Sequence, residues 1–250
     1  MAALEKKLLK KLRNAICDFD MIQKGETVIL GVSGGKDSMV LGYLLSQYRK
    51  YAKEKFEIKA IYIFKSFLID CDINFLEKKK YFEEELNIPL EKVDINLPEE
   101  SKLNDGLGQS CQWCAYARRI AMFKLCEKYG ATKIIYGHHM DDIVVTSFMN
   151  MIEGKKLKIM PVKNKMSMGD ITFIRPMAYI RERDILKLAE LNNIPFSGCN
   201  CPVGTYGTRN KIKHEIVRAN EKVFPKFVEN TFGALIKDFR EKYEADGYTM

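Results

Sequence analysis

The sequence predicts an α/β protein with a doubly wound, mainly parallel sheet of five strands and helical extensions at both ends. Short apolar, β-branched runs alternate with segments of helical periodicity along the 250 residues. Such alternation is typical of parallel sheets, because each right-handed crossover places a helix on one face before the next strand begins.

Each predicted strand is a short apolar run, and a segment with a helical pattern of apolar residues follows it. The strands are expected at residues 27–32, 58–64, 93–97, 132–137 and 171–175. The helices that alternate with them are expected at residues 39–45, 72–86, 112–129, 141–151 and 181–191.

Both ends of the chain are expected to be helical. Leu4, Leu8 and Leu12 recur at helical spacing among lysines, which predicts a basic amphipathic helix whose charged face either contacts RNA or is merely solvated. The apolar residues of the tail also suggest a packed helix. We therefore divide the chain into an N-terminal helix at 1–22, a central α/β domain at 23–215 and a C-terminal helical extension at 216–250.

The composition narrows the class of protein further. No run approaches the roughly 20 apolar residues that span a bilayer, and the N-terminus lacks the apolar run of a signal peptide, so a cytosolic protein is expected. The 41 Lys and Arg residues outnumber the 33 Asp and Glu residues, and the net charge of +8 permits a polyanionic partner such as RNA. Seven cysteines, an odd number, favour metal or redox chemistry over disulfides in a reducing compartment.

A glycine-rich loop follows the first predicted strand and opens the next helix. It reads Ser33-Gly34-Gly35-Lys36-Asp37-Ser38 and lies where α/β sheets bind ligands. Its backbone amides, the helix N-terminus, Lys36 and the two serine hydroxyls suit a pyrophosphate group. It is not a Walker A loop, because Leu30 and Asp37 occupy the glycine and Ser/Thr positions of that motif. The alternative is a plain turn with a helix N-cap at Asp37 or Ser38.

Four of the seven cysteines form two close pairs, Cys111 with Cys114 and Cys199 with Cys201. A C-x-x-C pair can direct both sulfurs at one metal, and further thiolates complete a tetrahedral site. The spacing alone fits zinc, an iron–sulfur cluster or a thioredoxin-type redox pair.

The loop Ser33–Ser38 resembles the PP-loop of the ATP pyrophosphatases, which activate a carbonyl by adenylation and release pyrophosphate. The resemblance implies that Lys36 and Ser38 hold ATP phosphates together with the amides of Ser33, Gly34 and Gly35. It also implies that Asp37 serves Mg²⁺ or the transition state.

Other motifs resemble those of the tRNA 2-thiocytidine synthetases within that superfamily. These motifs are Cys111-x-x-Cys114 with Arg118-Arg119, Gly137-His138-His139-Met140-Asp141-Asp142, Arg175-Pro176-Met177-Ala178-Tyr179 with Arg181-Glu182-Arg183-Asp184, and Cys199-Asn200. The family holds a [4Fe–4S] cluster on three cysteines, so the resemblance implies Cys111, Cys114 and Cys199 as ligands. Only one residue separates Cys199 from Cys201, where the family usually has two, so Cys201 is the alternative third ligand.

The residues between these motifs extend the site. Strands one and four are commonly neighbours, so Gly137, His138 and Asp142 are expected to face the ATP site, with Asp141 capping the helix that follows. His138 is either a nucleotide contact or a packed histidine. Arg118, one helical turn past Cys114, is expected to approach the cluster and a phosphate. A basic set near the late cysteines, Arg175, Arg181, Arg183, Arg209, Lys211 and Lys213, suits an RNA backbone or is ordinary solvated charge.

Taken with the resemblance, the sequence predicts an ATP-dependent tRNA sulfurtransferase that adenylates C2 of an anticodon-loop cytidine and replaces the oxygen by sulfur. Three thiolates leave one iron open, where hydrosulfide would be held beside the adenylated base. The expected cofactors are ATP, Mg²⁺ and the cluster, and the expected partners are tRNA, a sulfide or persulfide donor such as a cysteine desulfurase, and a second copy of the chain. The alternatives are tRNA uridine thiolation, another PP-loop enzyme such as a ligase, and a non-catalytic RNA-binding or redox-sensing module.

Overall fold

A computed structural model describes residues 2–53, 55–65, 74–95, 111–166, 170–197 and 207–245. These residues form a six-stranded sheet whose strands stand in the order β3-β2-β1-β4-β6-β5. The strands are β1 (Thr27–Val32), β2 (Glu57–Lys65), β3 (Leu90–Ile95), β4 (Lys133–Ile135), β5 (Lys163–Lys165) and β6 (Thr172–Ile174).

Helices connect the strands, as the alternating pattern predicts. They are α1 (Ala3–Asp18), α2 (Lys36–Tyr51), α3 (Phe75–Lys80), α4 (Cys111–Tyr129), α5 (Met140–Ile152), α6 (Glu182–Leu191), α7 (Thr208–Lys211), α8 (Ala219–Val223) and α9 (Phe227–Ala245). Two of them are extended by π-helical segments, Tyr81–Glu85 after α3 and Ile212–Arg218 between α7 and α8. Within the described ranges, no helix is long and apolar enough to cross a membrane.

The sheet confirms the predicted fold class and adds one strand to the expected five. All pairings among β1, β2, β3, β4 and β6 are parallel, and only β5 pairs in the antiparallel direction, with β6. The extra strand reads Lys-Asn-Lys, so it has no apolar run and lies at the edge of the sheet. Its position is set by pairing with Thr172–Ile174 and not by its own composition.

Alternate residues of β1 pack on opposite faces of the sheet. Val28 and Leu30 join the larger apolar cluster, which includes residues of α1, α2 and α6, while Ile29 joins the cluster formed with α4. All three side chains are fully buried. Each buried aliphatic side chain of this size contributes about 1.5–3 kcal/mol, so the two layers hold β1 firmly at the centre of the sheet. The loop that follows β1 therefore begins from a fixed point.

The order of strands creates the crevice expected for a ligand. The chain runs outward from β1 through β2 to β3 and then returns to place β4 on the other side of β1. Val28 pairs with Lys133 and Leu30 with Ile135, so the strands that precede the glycine loop and the His-His segment are direct neighbours. In open α/β sheets the carboxyl ends of strands at such a reversal form the binding crevice.

A close contact between α2 and the π-helical segment after α3 makes a test of the core. A Cβ on Gly42 would lie 2.6 Å from Cζ of Phe82, whose side chain is fully buried. We expect Gly42→Ala to lower the free energy of unfolding by about 1–3 kcal/mol, because the ring has no space to move into. Urea unfolding followed by circular dichroism measures the change.

Gly233 in α9 is the matched control for that substitution. No atom of the described residues lies within 4 Å of a Cβ built on Gly233, so Gly233→Ala should stabilise the helix by about 0.5–1 kcal/mol. Equal effects of the two substitutions would show that helix propensity and not the Phe82 contact governs residue 42.

Candidate active site

The glycine loop joins β1 to α2 at the carboxyl edge of the sheet. Gly34 has a φ of +79°, a conformation that L side chains rarely adopt, and a Cβ there would lie 3.1 Å from Cε of Lys78. The N-cap of α2 is Gly35, with no side-chain hydrogen bond to the first turn. The alternative prediction of a side-chain cap at Asp37 or Ser38 is therefore wrong, and the first turn keeps the positive end of the helix dipole facing the loop.

The two serines of the loop fix its shape. The Ser33 backbone N–H donates to Oγ of Ser38 at 3.2 Å, and the Ser38 hydroxyl donates to the carbonyl of Gly35 at 3.0 Å. The hydroxyl oxygens of Ser33 and Ser38 also lie 3.2 Å apart. The Gly35 N–H donates to Oγ of Ser33 at 3.4 Å, so this internal network fixes the loop at the N-terminus of α2, a position that favours an anion.

Lys36 is held by two carboxylates. Its Nζ donates to Oδ1 of Asp37 at 3.0 Å and to Oε1 of Glu182 at 2.8 Å. Burial opposes the charged form of Lys36, but Asp37 and Glu182 outweigh it and raise the pKa of the ammonium group. Glu182 begins α6, and its contact with Lys36 could not be predicted, because 146 residues separate the two.

Glu182 collects further cations from the π-helical segment Ile212–Arg218. Lys213 donates to the same Oε1 at 2.7 Å, and Arg218 lies 3.6 Å from Oε2. Burial opposes ionisation of this carboxyl, but the hydrogen bonds from Lys213 and Lys36 lower its pKa to about 2. Glu182 is therefore fully ionised at neutral pH and joins the glycine loop to the C-terminal segment.

The end of β4 lies directly against the glycine loop. A Cβ on Gly137 would be 3.1 Å from both the carbonyl carbon of Asp37 and the amide nitrogen of Ser38. These are backbone atoms of a helix start and cannot move aside. Gly137 thus allows the two segments to approach closely, and it brings the residues after β4 next to the first turn of α2.

His139 lies at the centre of the acidic residues, although the sequence predicted no role for it. Its side chain is buried, with Nε2 3.3 Å from Oδ2 of Asp142 and 3.6 Å from Oδ1 of Asp37. Its Nδ1 lies 3.6 Å from Oδ2 of Asp141 and has no hydrogen-bond partner among the described residues. The imidazole therefore spaces three carboxylates around one point beside the glycine loop. The only sequence feature that pointed to His139 was its position within the motif, between His138 and Met140.

Asp142 takes the capping role that was expected for Asp141. His139 is the N-cap of α5, and its N–H donates to Oδ2 of Asp142 at 3.2 Å, so Asp142 completes the cap. Asp142 also accepts a hydrogen bond from Arg209 at 2.7 Å. Burial raises the pKa of the Asp142 carboxyl, but His139 and Arg209 more than reverse this and lower it well below its usual range.

Asp141 was expected to cap the helix and instead binds Arg181. Nε of Arg181 lies 3.2 Å from both carboxylate oxygens of Asp141, and the Glu182 N–H donates to Oδ2 at 2.8 Å. Asp141 thereby fixes the start of α6 against the start of α5. The capping prediction failed because a buried arginine is a stronger partner for a carboxylate than a helix amide in this position.

His138 follows β4 and packs against Arg175 and Tyr136. Nε of Arg175 donates to its Nδ1 at 3.3 Å, and its ring meets that of Tyr136 edge-on. Burial lowers the pKa of His138 to about 4, so the ring is neutral at pH 7 and accepts the hydrogen bond from Arg175. His138 is thus a neutral side chain held at the carboxyl edge of the sheet.

The cysteine prediction falls only partly within the described residues. Cys111 and Cys114 belong to the first turn of α4, but only the side chain of Cys114 is described. That side chain is half-buried and carries a free thiol. Nε of Arg118 donates to the Cys114 carbonyl at 3.3 Å, so the two residues lie one helical turn apart. Cys199 and Cys201 lie outside the described residues.

One hydrogen bond connects the late segment to the glycine loop. The Ser197 N–H donates to the carbonyl of Gly34 at 3.0 Å. Ser197 precedes Cys199 by two positions in the sequence. The chain segment that leads to the late cysteines therefore begins at the loop itself. A cavity of about 160 Å³ lies between the start of α5 and Arg209, Asn210 and Lys213, and His139 and Asp142 are among the residues that line it.

The low pKa of Glu182 predicts how stability depends on pH. A depressed carboxyl pKa stabilises the fold above the unfolded value of about 4.5 and loses that contribution as the pH falls toward about 2. We expect Glu182→Gln to lower the free energy of unfolding by about 3 kcal/mol at pH 7, from the size of the shift. The difference from the unsubstituted protein should stay constant down to about pH 5 and then shrink.

Urea unfolding of both proteins at pH 7, 5, 4 and 3 measures that difference. Glu190→Gln is the control, because Glu190 lies on the exposed side of the same helix, α6. A difference between Glu182→Gln and the unsubstituted protein that is the same at pH 7 and pH 3 would contradict the prediction.

The chain matches a known protein family over most of its length. Residues 3–220 match the model of the PP-loop domain family, so the chain belongs to that family. Curated relatives then define a narrower group. The chain is 37% identical over 236 residues to the tRNA-cytidine(32) 2-sulfurtransferase of Acinetobacter baumannii strain ACICU, covering 92% of this chain and 76% of the relative. It therefore belongs to the family of these sulfurtransferases.

A second relative and a solved structure extend the comparison. The tRNA-cytidine(32) 2-sulfurtransferase of Vibrio parahaemolyticus is 37% identical over 219 residues, covering 86% of this chain and 70% of the relative. The structure of the U34-tRNA thiolase NcsA from Methanococcus maripaludis with its [4Fe-4S] cluster superposes with a TM-score of 0.77. It is 23% identical and covers 94% of this chain and 79% of that one, and this likeness shows a shared fold.

Proposed function

We propose that this protein is an ATP-dependent tRNA sulfurtransferase that converts an anticodon-loop cytidine to 2-thiocytidine. The observation that carries the proposal is the 37% identity, over 92% of the chain, to a curated tRNA-cytidine(32) 2-sulfurtransferase. The glycine loop and the acidic cluster beside it supply the chemistry that such a reaction needs at its first step.

In the first step the chain binds ATP and orients it. The glycine loop holds the phosphates at the N-terminus of α2 through Ser33, Gly34, Gly35, Lys36 and Ser38. On the neighbouring strand, Gly137 and His138 contact the nucleotide. The C2 carbonyl oxygen of the cytidine attacks the α-phosphorus, the bond to the β-phosphate bridge breaks, and pyrophosphate leaves. The products of this step are an adenylated base and pyrophosphate.

Two carboxylates serve this step, Asp37 and Asp142. Mg²⁺ is usually bound by one or two carboxylates together with the substrate phosphates, so these two side chains suffice for a metal that arrives with ATP. Nε2 of His139 contacts both carboxylates, at 3.6 Å from Oδ1 of Asp37 and 3.3 Å from Oδ2 of Asp142. The pair is therefore preorganised before the nucleotide binds.

The second step replaces the adenylated oxygen by sulfur. The first turn of α4 contains two cysteines three positions apart in the sequence. Soft thiolates are the ligands that iron–sulfur clusters take, so Cys111, Cys114 and Cys199 would hold a [4Fe–4S] cluster. When bound, the cluster supplies a site for the sulfur atom that is transferred. Arg118, fixed to the Cys114 carbonyl, places a positive charge beside this turn to stabilise the departing AMP.

The partners follow from the same reaction. The substrate is tRNA, and the net charge of +8 favours its approach. A sulfide or persulfide donor such as a cysteine desulfurase renews the sulfur after each turnover, and a homodimer is the assembly we propose.

The test combines three measurements on protein purified without oxygen. They are iron and sulfide content, pyrophosphate release on adding ATP and unmodified tRNA, and mass spectrometry of the tRNA nucleosides after adding sulfide. We expect about four iron and four sulfide per chain, tRNA-dependent pyrophosphate release, and 2-thiocytidine as the product. Lys36→Met should abolish both pyrophosphate release and 2-thiocytidine formation. Lys222→Met, on the exposed surface of α8, should leave both unchanged.

Other outcomes would redirect the proposal. Thiouridine in place of thiocytidine would identify the uridine reaction, and pyrophosphate release without tRNA would indicate a small-molecule substrate. A bound cluster without any pyrophosphate release would favour a non-catalytic module.

A further inference from the structure

Three cations from distant parts of the chain share one carboxylate beside the glycine loop. Lys36 and Lys213 donate to the same oxygen of Glu182, at 2.8 and 2.7 Å, and Arg218 approaches the other oxygen at 3.6 Å. Glu182 carries one negative charge, so the cluster keeps an excess of positive charge even when Asp37 is counted with Lys36. Like charges this close repel one another, and the single charge of Glu182 does not neutralise all three cations. A further anion among them would remove the remaining repulsion.

Two of these cations are largely shielded from solvent, since the side chains of Lys36 and Lys213 are 22% and 26% exposed. Arg218 lies nearer the surface, with 49% of its side chain exposed. Lys213 also lines the cavity of about 160 Å³ that lies beside the acidic residues and Arg209. Both Lys213 and Arg218 come from a π-helical segment, a rare geometry that is frequently found at functional sites.

We propose that Lys213 and Arg218, together with Lys36, bind the β- and γ-phosphates of the nucleotide, and that Glu182 holds the three cations in place until the phosphates replace it. The inference rests on the proposed ATP-dependent function and adds two phosphate-binding residues to it. A triphosphate carries several negative charges on separate oxygens, so it can satisfy each cation individually where a single carboxylate cannot. The released pyrophosphate is held by the same three side chains.

Under this proposal, substitutions of the cations and of the carboxylate change nucleotide affinity in opposite directions. Removing Lys213 and Arg218 takes away two charge-assisted contacts to phosphate and weakens nucleotide binding. Removing the charge of Glu182 eliminates a competitor for the same cations and a source of repulsion to phosphate. The variant Glu182→Gln keeps the shape of the side chain and should therefore bind the nucleotide more tightly.

The experiment is calorimetric titration of the full-length protein, without tRNA, with ATP and separately with inorganic pyrophosphate. We expect the Kd of both to rise by about 10- to 100-fold in Lys213→Gln/Arg218→Gln, from two lost charged hydrogen bonds. We expect it to fall by about 3- to 10-fold in Glu182→Gln. Lys222→Gln/Lys226→Gln, two exposed lysines on the next segments, is the charge-matched control and should not change either value.

Several results would overturn the inference. One is an unchanged ATP affinity in Lys213→Gln/Arg218→Gln, with weaker tRNA binding and a salt slope lowered by about 2, which would assign these cations to an RNA backbone. A second is weaker pyrophosphate binding in Glu182→Gln that circular dichroism shows to be folded, which would make Glu182 a purely structural anchor. Failure of the folded, unsubstituted protein to bind ATP would overturn the proposed function and this inference together.

Discussion

Replacing Cys114 with serine is expected to abolish 2-thiocytidine formation, to below about 1% of the unsubstituted activity, while ATP binding and tRNA-dependent pyrophosphate release persist. The reason is positional. Cys114 lies on the first turn of α4, whereas the residues that hold the phosphates lie between β1 and α2 and at the end of β4. Mass spectrometry of nucleosides and a pyrophosphate assay on the same samples measure the two steps separately, and bound iron should fall in parallel with thiolation.

Cys17→Ser is the matched control for that experiment. Cys17 is an exposed free cysteine on α1, so its loss removes one thiol without touching α4. Thiolation and iron content should both remain at the unsubstituted level. Loss of pyrophosphate release along with thiolation in Cys114→Ser would mean that the cysteine turn supports the nucleotide site, contrary to the proposed separation of the two steps.

Replacing Arg181 with methionine is expected to lower the free energy of unfolding by about 3–5 kcal/mol, more than either Gly42→Ala or Glu182→Gln. The Arg181 side chain is only 3% exposed and forms ion pairs with Asp141, Glu221 and Glu229. Methionine fills a similar volume but leaves three partly buried carboxylates without their shared cation. Urea unfolding at pH 7 measures the loss.

Arg183 provides the control, because it contacts two of the same carboxylates. Its side chain is 59% exposed and pairs with Glu221 and Glu229 at 3.2 and 2.9 Å. Solvent screens exposed ion pairs, so Arg183→Met should cost no more than about 1 kcal/mol. Comparable losses from the two substitutions would show that burial of Arg181 is unimportant and that only the number of ion pairs counts.

Much of the fold could be predicted because its signals are local. Apolar β-branched runs identified β1, β2, β3, β4 and β6, and glycines between β1 and α2 identified the loop. The missing strand, Lys163–Lys165, is polar and pairs only at an edge, so neither hydrophobicity nor alternation could reveal it. The π-helical segments could not be predicted either, because their apolar residues have the spacing of an ordinary α-helix.

The site was predictable to the extent that its residues lie in motifs. Lys36 and Asp142 were found from their place at the ends of strands, and the structure brings their segments together through Gly137. The ion-pair partners of Glu182 and Arg181 could not be predicted, because each binds side chains at least 31 residues away along the chain. Charge pairing of that kind depends on how helices dock, and a sequence pattern does not encode the docking.

The distribution of the site along the chain has a consequence for biosynthesis. The loop is made well before Glu182, which follows Lys36 by 146 residues, and Arg209, Lys213 and Arg218 are made later still. Parallel pairing of β1 with β4, as between Val28 and Lys133, also joins distant segments and is slow to form. A nascent chain therefore cannot bind the nucleotide fully until both the sheet and its C-terminal helices are in place. A ligand that binds only the folded state stabilises that state by mass action. ATP at a concentration above its Kd therefore favours docking of the C-terminal helices, so the substrate also stabilises the fold.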